Sequence, residues 1–385
     1  MPDLDLPTLC GQLVVGGFRS VEPPARFLDA LSRGYLGGAI LFRRNLPDLP
    51  TASRTCRALA AAQPGGVPPF IGLDQEGGRV ARLPVPFLKL PPARALGLTG
   101  DVALIRRAAR AVADELRALG VNVNFAPVLD VDSNPQNPVI GDRSFARDPG
   151  WASAAAVAFL EGQQEGGVLA CGKHFPGHGD TDTDSHLALP RIPHDRPRLD
   201  AVELPPFRAA ASAKVASMMT AHVVVESLDP GVPATLSRVI CTDLLRGEVG
   251  FEGVLFSDDL EMAAVAALHP VEESATRAIA AGCDVVLVCS DEDAQARAHA
   301  ALVARAERDE AFRARCAEAA SRCLSARRRC PPEPLDEASL RAVLDRTEGR
   351  ALLEAIAAAG AAAAAASAQA GQGIDPTEHG REVGA

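Results

Sequence analysis

The sequence predicts a single (β/α)8 TIM-type barrel, an α/β fold of eight parallel strands alternating with eight helices. Three observations carry that prediction. Eight short apolar runs, most of them rich in β-branched or large aliphatic residues, recur with Gly or Pro at their flanks, as buried parallel strands do. Longer amphipathic stretches separate them. An open doubly wound sheet would alternate in the same way, but no G-x-G-x-x-G follows the first run and no G-x-x-x-x-G-K-[ST] occurs anywhere.

The predicted strands are 13–17, 38–42, 70–74, 121–126, 168–173, 216–221, 253–258 and 284–288. The helical stretches between and after them are 49–62, 102–119, 151–165, 204–213, 237–249, 271–281 and 293–308. Asp101 stands where an N-cap belongs, and Gly120 just past Leu119 marks the handover to the next strand. Residues 1–345 read as the catalytic barrel domain and 346–385 as an alanine-rich tail. Ala361 to Ala366 is unbroken alanine, which favours helix but offers few large apolar groups to anchor it. A flexible, frayed helix without chemistry is the expectation there.

Composition narrows the function. The chain has 385 residues, 47% hydrophobic and 23% charged, an ordinary globular balance. With 39 Lys plus Arg against 49 Asp plus Glu, the net charge is -10, so nucleic acid is not an expected partner. Met1 to Ala30 lacks a basic-then-apolar start, and no apolar run reaches the roughly 18–20 residues of a bilayer span. The nine cysteines include no C-x-x-C, and Cys171, Cys283 and Cys289 sit in strand-like runs as reduced core residues. A cytoplasmic protein with no membrane partner is expected.

A barrel builds its active site at the C-terminal ends of its strands, so polar side chains should gather there. The third run ends in Asp74, followed by Gln75-Glu76-Gly77-Gly78-Arg79. The fourth passes through Asn122 and Asn124 to Asp130; the fifth ends in Lys173-His174, the sixth in His222 and the seventh in Ser257-Asp258-Asp259. A charge at a buried strand end must be paired or offered to a ligand. Five strands ending this way exceed what structural ion pairs alone explain.

Residues 173–186 hold three histidines and three aspartates, among glycines that let a loop bend and move. One reading is a metal site on His174 and His178, against which Pro176 and Gly177 break the helix that would align them; His222 could join that set. A calcium loop on Asp180, Asp182 and Asp184 fails at Ser185, where glycine is wanted, and at Arg191, where a bidentate Glu is wanted. The catalytic reading pairs Asp184 with His186, since i and i+2 side chains of an extended segment point the same way and a carboxylate raises an imidazole's pKa. Asp258, delivered from a buried strand to the barrel mouth, suits a carboxylate nucleophile, while Asp259 is assigned to capping the next helix.

Three segments then carry a resemblance: Gly72 to Arg82, Lys173 to His186, and Phe256-Ser257-Asp258-Asp259-Leu260-Glu261-Met262. Together with weaker matches at Asn124 to Asp130, Gly141 to Phe145, Met219 to His222 and Pro233 to Ser237, they resemble the β-N-acetylhexosaminidases of glycoside hydrolase family 3 over roughly residues 10–310. The resemblance implies release of terminal N-acetylglucosamine by a retaining double displacement. It makes Asp258 the nucleophile and His186 the acid/base, paired with Asp184. It places Asp74, Arg82, Arg143, Lys173 and His174 on the sugar hydroxyls and the N-acetyl group. No cofactor or metal is implied, and the substrate class is cell-wall muropeptides. The rivals are a phosphorylase or β-glucosidase of the same family, attack by the substrate's own acetamido oxygen, a metal-dependent hydrolase, and a barrel that binds sugar without turnover. The family's β-glucosidases carry a second domain, where here only the alanine-rich tail follows.

Overall fold

The computed structural model describes residues 4–62, 66–181, 189–345 and 348–369. Eight parallel strands close into a barrel: β1 (Val14–Gly16), β2 (Gly38–Leu41), β3 (Phe70–Leu73), β4 (Val123–Asn124), β5 (Leu169–Phe175), β6 (Ser217–Thr220), β7 (Val254–Asp259) and β8 (Val285–Val288). Each pairs with its neighbour in chain order, and β8 pairs with β1 through Val14–Val286. Every predicted strand is present. β5 runs on to Phe175, whereas β4 keeps only two residues, because the chain bends where the Ala126 amide donates to the Asn124 carbonyl at 2.8 Å.

The helices that follow the strands are α1 (Ala25–Ser32), α2 (Leu49–Ala61), α3 (Val102–Leu119), α4 (Pro149–Glu165), α5 (Pro205–Ser212), α6 (Val239–Glu248), α7 (Val271–Ala281) and α8 (Glu292–Arg308). Local chemistry sets their ends. The Asp101 carboxylate accepts from the amides of Ala103 and Leu104 at 2.9 and 3.0 Å, and Gly120 takes φ 93°, which a side chain would strain. Asp48, Asp148 and Asp291 cap α2, α4 and α8 in the same way. α1 carries no side-chain cap and escapes a reading based on caps and long apolar periods.

Two apolar layers result. The outer layer packs strands against helices; the inner fills the barrel with Val15, Ile40, Phe70, Phe125, Phe256 and their neighbours. Phe256 meets Phe70 and Phe125 edge-on, with centroids 5.4 Å apart in both pairs. Gly72 makes room for this plug, since a Cβ there would stand 2.8 Å from the Phe125 ring.

The bottom of the barrel is closed by α9 (Glu310–Arg329), which sends Cys323 and Ala326 into the inner layer. Arg327, buried, donates to the Gly37 carbonyl and to Gln12 Oε1, each at 2.7 Å, and lies over the Phe70 ring at 5.0 Å. Burial pulls its pKa down to about 10, and no carboxylate pairs with it among the described residues. Arg327→Ala leaves the buried Gln12 Oε1 unpaired and a cavity, while the Gly37 carbonyl keeps the Phe70 amide, so thermal unfolding should show a loss of about 2–4 kcal/mol. Asn122 also belongs to this end, with its Nδ2 donating to Pro69 and Cys330 carbonyls at 3.0 Å each. It takes no part in the mouth, contrary to its expected place among the strand-end polar groups.

Beyond the barrel lie α10 (Glu337–Leu344) and α11 (Glu348–Gln369). The segment expected to be a loosely held tail begins as a docked helix: Leu352 and Ile356 are buried against the α3 side. Two large side chains a turn apart suffice to seat it, although alanine dominates the remainder of the helix. Its C-terminal continuation, 370–385, lies outside the described residues. No helix among the described residues is long and apolar enough to cross a membrane.

Candidate active site

The C-terminal mouth is built from the ends of β3, β4, β5, β6 and β7. After β3 the chain makes a short antiparallel hairpin, Gln75–Gly77 with Val80–Ala81, which returns Arg82 to Asp74: Nη2 donates to Oδ2 at 3.0 Å. β5 brings Lys173, whose Nζ lies 2.7 Å from both Asp74 Oδ1 and Glu76 Oε1. Arg143, in the turn Gly141–Arg143, clamps Glu76 with two hydrogen bonds of 2.8 Å. Three cations thus share two carboxylates in a basin where Lys173 is 3% and Glu76 7% exposed.

Burial alone would push the Asp74 and Glu76 carboxyls up. The Lys173 and Arg82 charges at Asp74, and the Arg143 and Lys173 charges at Glu76, outweigh it and hold both below the ordinary carboxylate range. All five groups are charged at neutral pH, with one positive charge in excess. The Arg82 Nε donor is buried and has no partner among the described residues.

His174 follows Lys173. Its Nδ1 lies 2.7 Å from Asp130 Oδ2, which fixes the ring at the mouth. Asp130 also accepts from the His178 amide at 2.7 Å, and Asn137 Nδ2 donates to the carbonyls of His178 and Gly179 at 2.8 and 3.0 Å. The stem of the loop after β5 is therefore fastened as far as Thr181. Its glycines serve close packing here: a Cβ on Gly179 would lie 1.7 Å from the Val131 carbonyl oxygen. Asp184 and His186 lie outside the described residues.

β7 supplies Asp258. It stands two residues past the interior-facing Phe256, at the mouth end of the strand, where a bulge interrupts the register between Phe256 and Asp259. Burial raises its pKa, yet the neighbouring His222, His174 and Lys173 charges and the Asp259 amide, donating at 2.8 Å, hold it low. Asp259 points the other way. Its Oδ1 accepts from the amides of Glu261 and Cys289, at 3.1 and 3.2 Å, tying β7 to the end of β8. The next helical turn, Ala263–Ala266, has Met262 at its cap position and no side-chain cap, so the capping role expected of Asp259 is corrected to strand stapling.

Burial first, then Glu261 and Asp258, push Asp259 up to about 7. A carboxyl raised in this way costs the fold stability once pH exceeds its unfolded value near 4, and most above 7. Asp259→Asn should therefore raise the melting temperature by roughly 3–6 °C at pH 8 and little at pH 4, a comparison calorimetry can make.

His222, expected as a mouth residue, is buried: Nδ1 lies 2.8 Å from Thr235 Oγ1, and Nε2 lies 2.9 Å from the Asp259 carbonyl oxygen. It sits behind the nucleophile position. Asn124 is also inward-committed, with Oδ1 accepting from the Gln75 amide at 2.9 Å and Nδ2 donating to Gln163 Oε1 at 3.2 Å. His178 has Nδ1 2.7 Å from Thr181 Oγ1, and burial lowers its pKa to about 4. The structure brings Asp74, Arg82, Arg143, Lys173, His174 and Asp258 to one mouth. It adds Asn137, to which the sequence alone assigns no role, and gives Glu76 and Asp130, expected only as strand-end polar groups, their specific partners. Glu76 was legible as the i+2 neighbour of Asp74; Asn137 gave no local signal.

A closed barrel that aims a carboxylate into a basin of rigid hydrogen-bonding charges at its C-terminal mouth defines a barrel enzyme. The chain belongs to glycoside hydrolase family 3: residues 10–326 match the model of the glycosyl hydrolase family 3 N-terminal domain. A β-hexosaminidase of Alkalilimnicola ehrlichii is 41% identical over 271 residues, 67% of this chain and 75% of that protein. Among solved structures, a family 3 β-N-acetylglucosaminidase from a Paenibacillus species superposes with TM-score 0.85 at 38% identity, covering 93% of this chain and 69% of that one. A β-N-acetylhexosaminidase of Beutenbergia cavernae superposes with TM-score 0.79 at 35% identity, covering 85% and 99%.

Proposed function

We propose that this protein is a retaining exo-β-N-acetylglucosaminidase that works through a covalent glycosyl-Asp258 intermediate. It is a glycoside hydrolase of the β-N-acetylhexosaminidase kind, as its family and its β-hexosaminidase relatives at about 40% identity support. The observation that carries the mechanism is the pairing of Asp258, held anionic, with the basin of Asp74, Arg82, Arg143, Lys173 and His174 on the neighbouring strand ends. Asp258 attacks the anomeric carbon while His186, paired with Asp184, gives its proton to the departing oxygen. The neutral imidazole then takes a proton from water as the ester is hydrolysed. Asp74 and its cations hold the sugar hydroxyls, and the Arg82 Nε, without a partner among the described residues, is a donor available for one of them. No step requires a metal or organic cofactor. Cell-wall muropeptides in the cytoplasm are the substrate class and compartment this reading favours.

The test is release of nitrophenol from the aryl β-N-acetylglucosaminide and β-glucoside, with and without phosphate. Turnover of the first at least 100-fold faster, with free N-acetylglucosamine as product in both buffers, supports the reading. A preferred glucoside, a sugar 1-phosphate product, or no turnover of either would replace it with a glucosidase, a phosphorylase or a binding barrel.

A further inference from the structure

Beside the mouth, outside the sugar basin, three ligand-type side chains converge. Asp180 ends the stem of the β5 loop, His194 follows the short strand Arg191–Ile192, and Glu203 closes the helical turn Leu199–Glu203 before α5. One carboxylate or imidazole atom from each lies within 4.8 Å of the other two. His194 Nε2 and Asp180 Oδ2 are 2.5 Å apart. Arg198 leans in, with Nη2 3.2 Å from Glu203 Oε1 and 3.6 Å from Asp180 Oδ2.

That arginine satisfies the cluster incompletely. Glu203 is 3% exposed, yet among the described residues its Oε2 has no hydrogen-bond partner, and neither does the buried Nε of Arg198. One unpaired acceptor and one unpaired donor, both sealed from water, are what native interiors avoid. Both defects vanish together if a cation takes the Glu203 oxygen and Arg198, 35% exposed, swings out to water.

We propose that Asp180, His194 and Glu203 form a binding site for a zinc-type divalent cation, distinct from the sugar basin, with Arg198 as the group the metal displaces. Zinc holds nitrogen and oxygen ligands at about 2.0–2.2 Å, which sets them roughly 3.4 Å apart around a tetrahedral ion. The His194–Asp180 pair at 2.5 Å must open, and the contacts of up to 4.8 Å close, to reach that, each by side-chain shifts of about 1 Å. An imidazole with two carboxylates suits zinc, whereas calcium and magnesium prefer all-oxygen shells. Gly177 is the wall of the site: it has φ 131°, and a Cβ there would come within 3.0 Å of the Glu203 Cβ. The Ser227 hydroxyl, donating to the His194 carbonyl at 2.6 Å, steadies the imidazole's backbone. On binding, His194 gives up its hydrogen bond to Asp180, and protons compete for all three ligands, so affinity falls as pH falls. Zinc binding here does not depend on which sugar the basin takes.

Titrating Zn2+ calorimetrically into the metal-stripped full-length chain tests this, with folding of each variant checked by circular dichroism. The expected result is a one-per-chain site that His194→Ala and the near-isosteric Glu203→Gln each weaken at least 10-fold. Mg2+ and Ca2+ should bind at least 100-fold more weakly. Arg198→Ala should tighten zinc several-fold, because it removes the competing cation; under a purely structural ion pair it would leave zinc affinity unchanged. Asp184→Ala and His186→Ala should leave this site intact. Absence of a one-per-chain site, zinc affinity indifferent to His194→Ala and Glu203→Gln, or no tightening in Arg198→Ala overturns the proposal.

Discussion

Asp258→Asn is expected to abolish turnover of the aryl N-acetylglucosaminide, by about 10⁴–10⁶-fold in kcat, the range seen when a covalent nucleophile is lost. The variant should fold. Asn keeps the size of the side chain and an oxygen for the Asp259 amide, which donates at 2.8 Å. What disappears is the negative charge that His222, His174 and Lys173 stabilise. A sugar carrying fluorine beside the anomeric carbon should label the Asp258 peptide of the wild-type chain, as seen by mass spectrometry. Labelling of no aspartate at all would transfer the attack to the substrate's acetamido oxygen. Asp259→Asn separates the neighbours: its carboxyl faces the ends of β7 and β8, so turnover should stay within about tenfold. A large loss there with little loss at Asp258 would reverse the assignment.

His186→Ala is expected to cost roughly 10²–10⁴-fold, and unevenly across leaving groups. A sugar leaving group needs its oxygen protonated, whereas dinitrophenolate departs unaided. Glycosidic substrates should therefore lose most and activated aryl glycosides least. With the activated substrates the glycosyl-enzyme should accumulate, because no base remains to activate water. Azide, a nucleophile that needs no base, should restore turnover of these and yield the glycosyl azide. An equal loss for every leaving group, without azide rescue, would remove His186 from proton transfer.

Much of the barrel is legible in the order of residues alone. The strand runs are short, apolar and bracketed by Gly or Pro, and Asp101 and Gly120 sit where helix ends demand them. The strand-end charges are legible for the same reason: a Lys or Asp closing a buried run has few innocent explanations. Failures come where a side chain's partner is remote in sequence. Asn122 and Asn124 look like site residues, yet one stitches the barrel floor and the other binds Gln75 and Gln163. Arg327 looks like a surface charge in an arginine-rich helix end, yet it caps the floor through Gly37, 290 positions away. Asp259 looks like a helix cap, but the bulge between Phe256 and Asp259 turns it against β8.

Composition, periodicity and turn residues act within a few residues of one another. They are enough to set the alternation of strands and helices and to place charges at strand ends. Which of those charges meet depends on the closed barrel. Lys173 reaches Asp74 across 99 positions and Arg143 reaches Glu76 across 67, contacts set by strand stagger and barrel closure. In a low-dielectric mouth that pairing, more than the identity of any one residue, governs which carboxylates stay ionised and which one, Asp259, is pushed toward its proton.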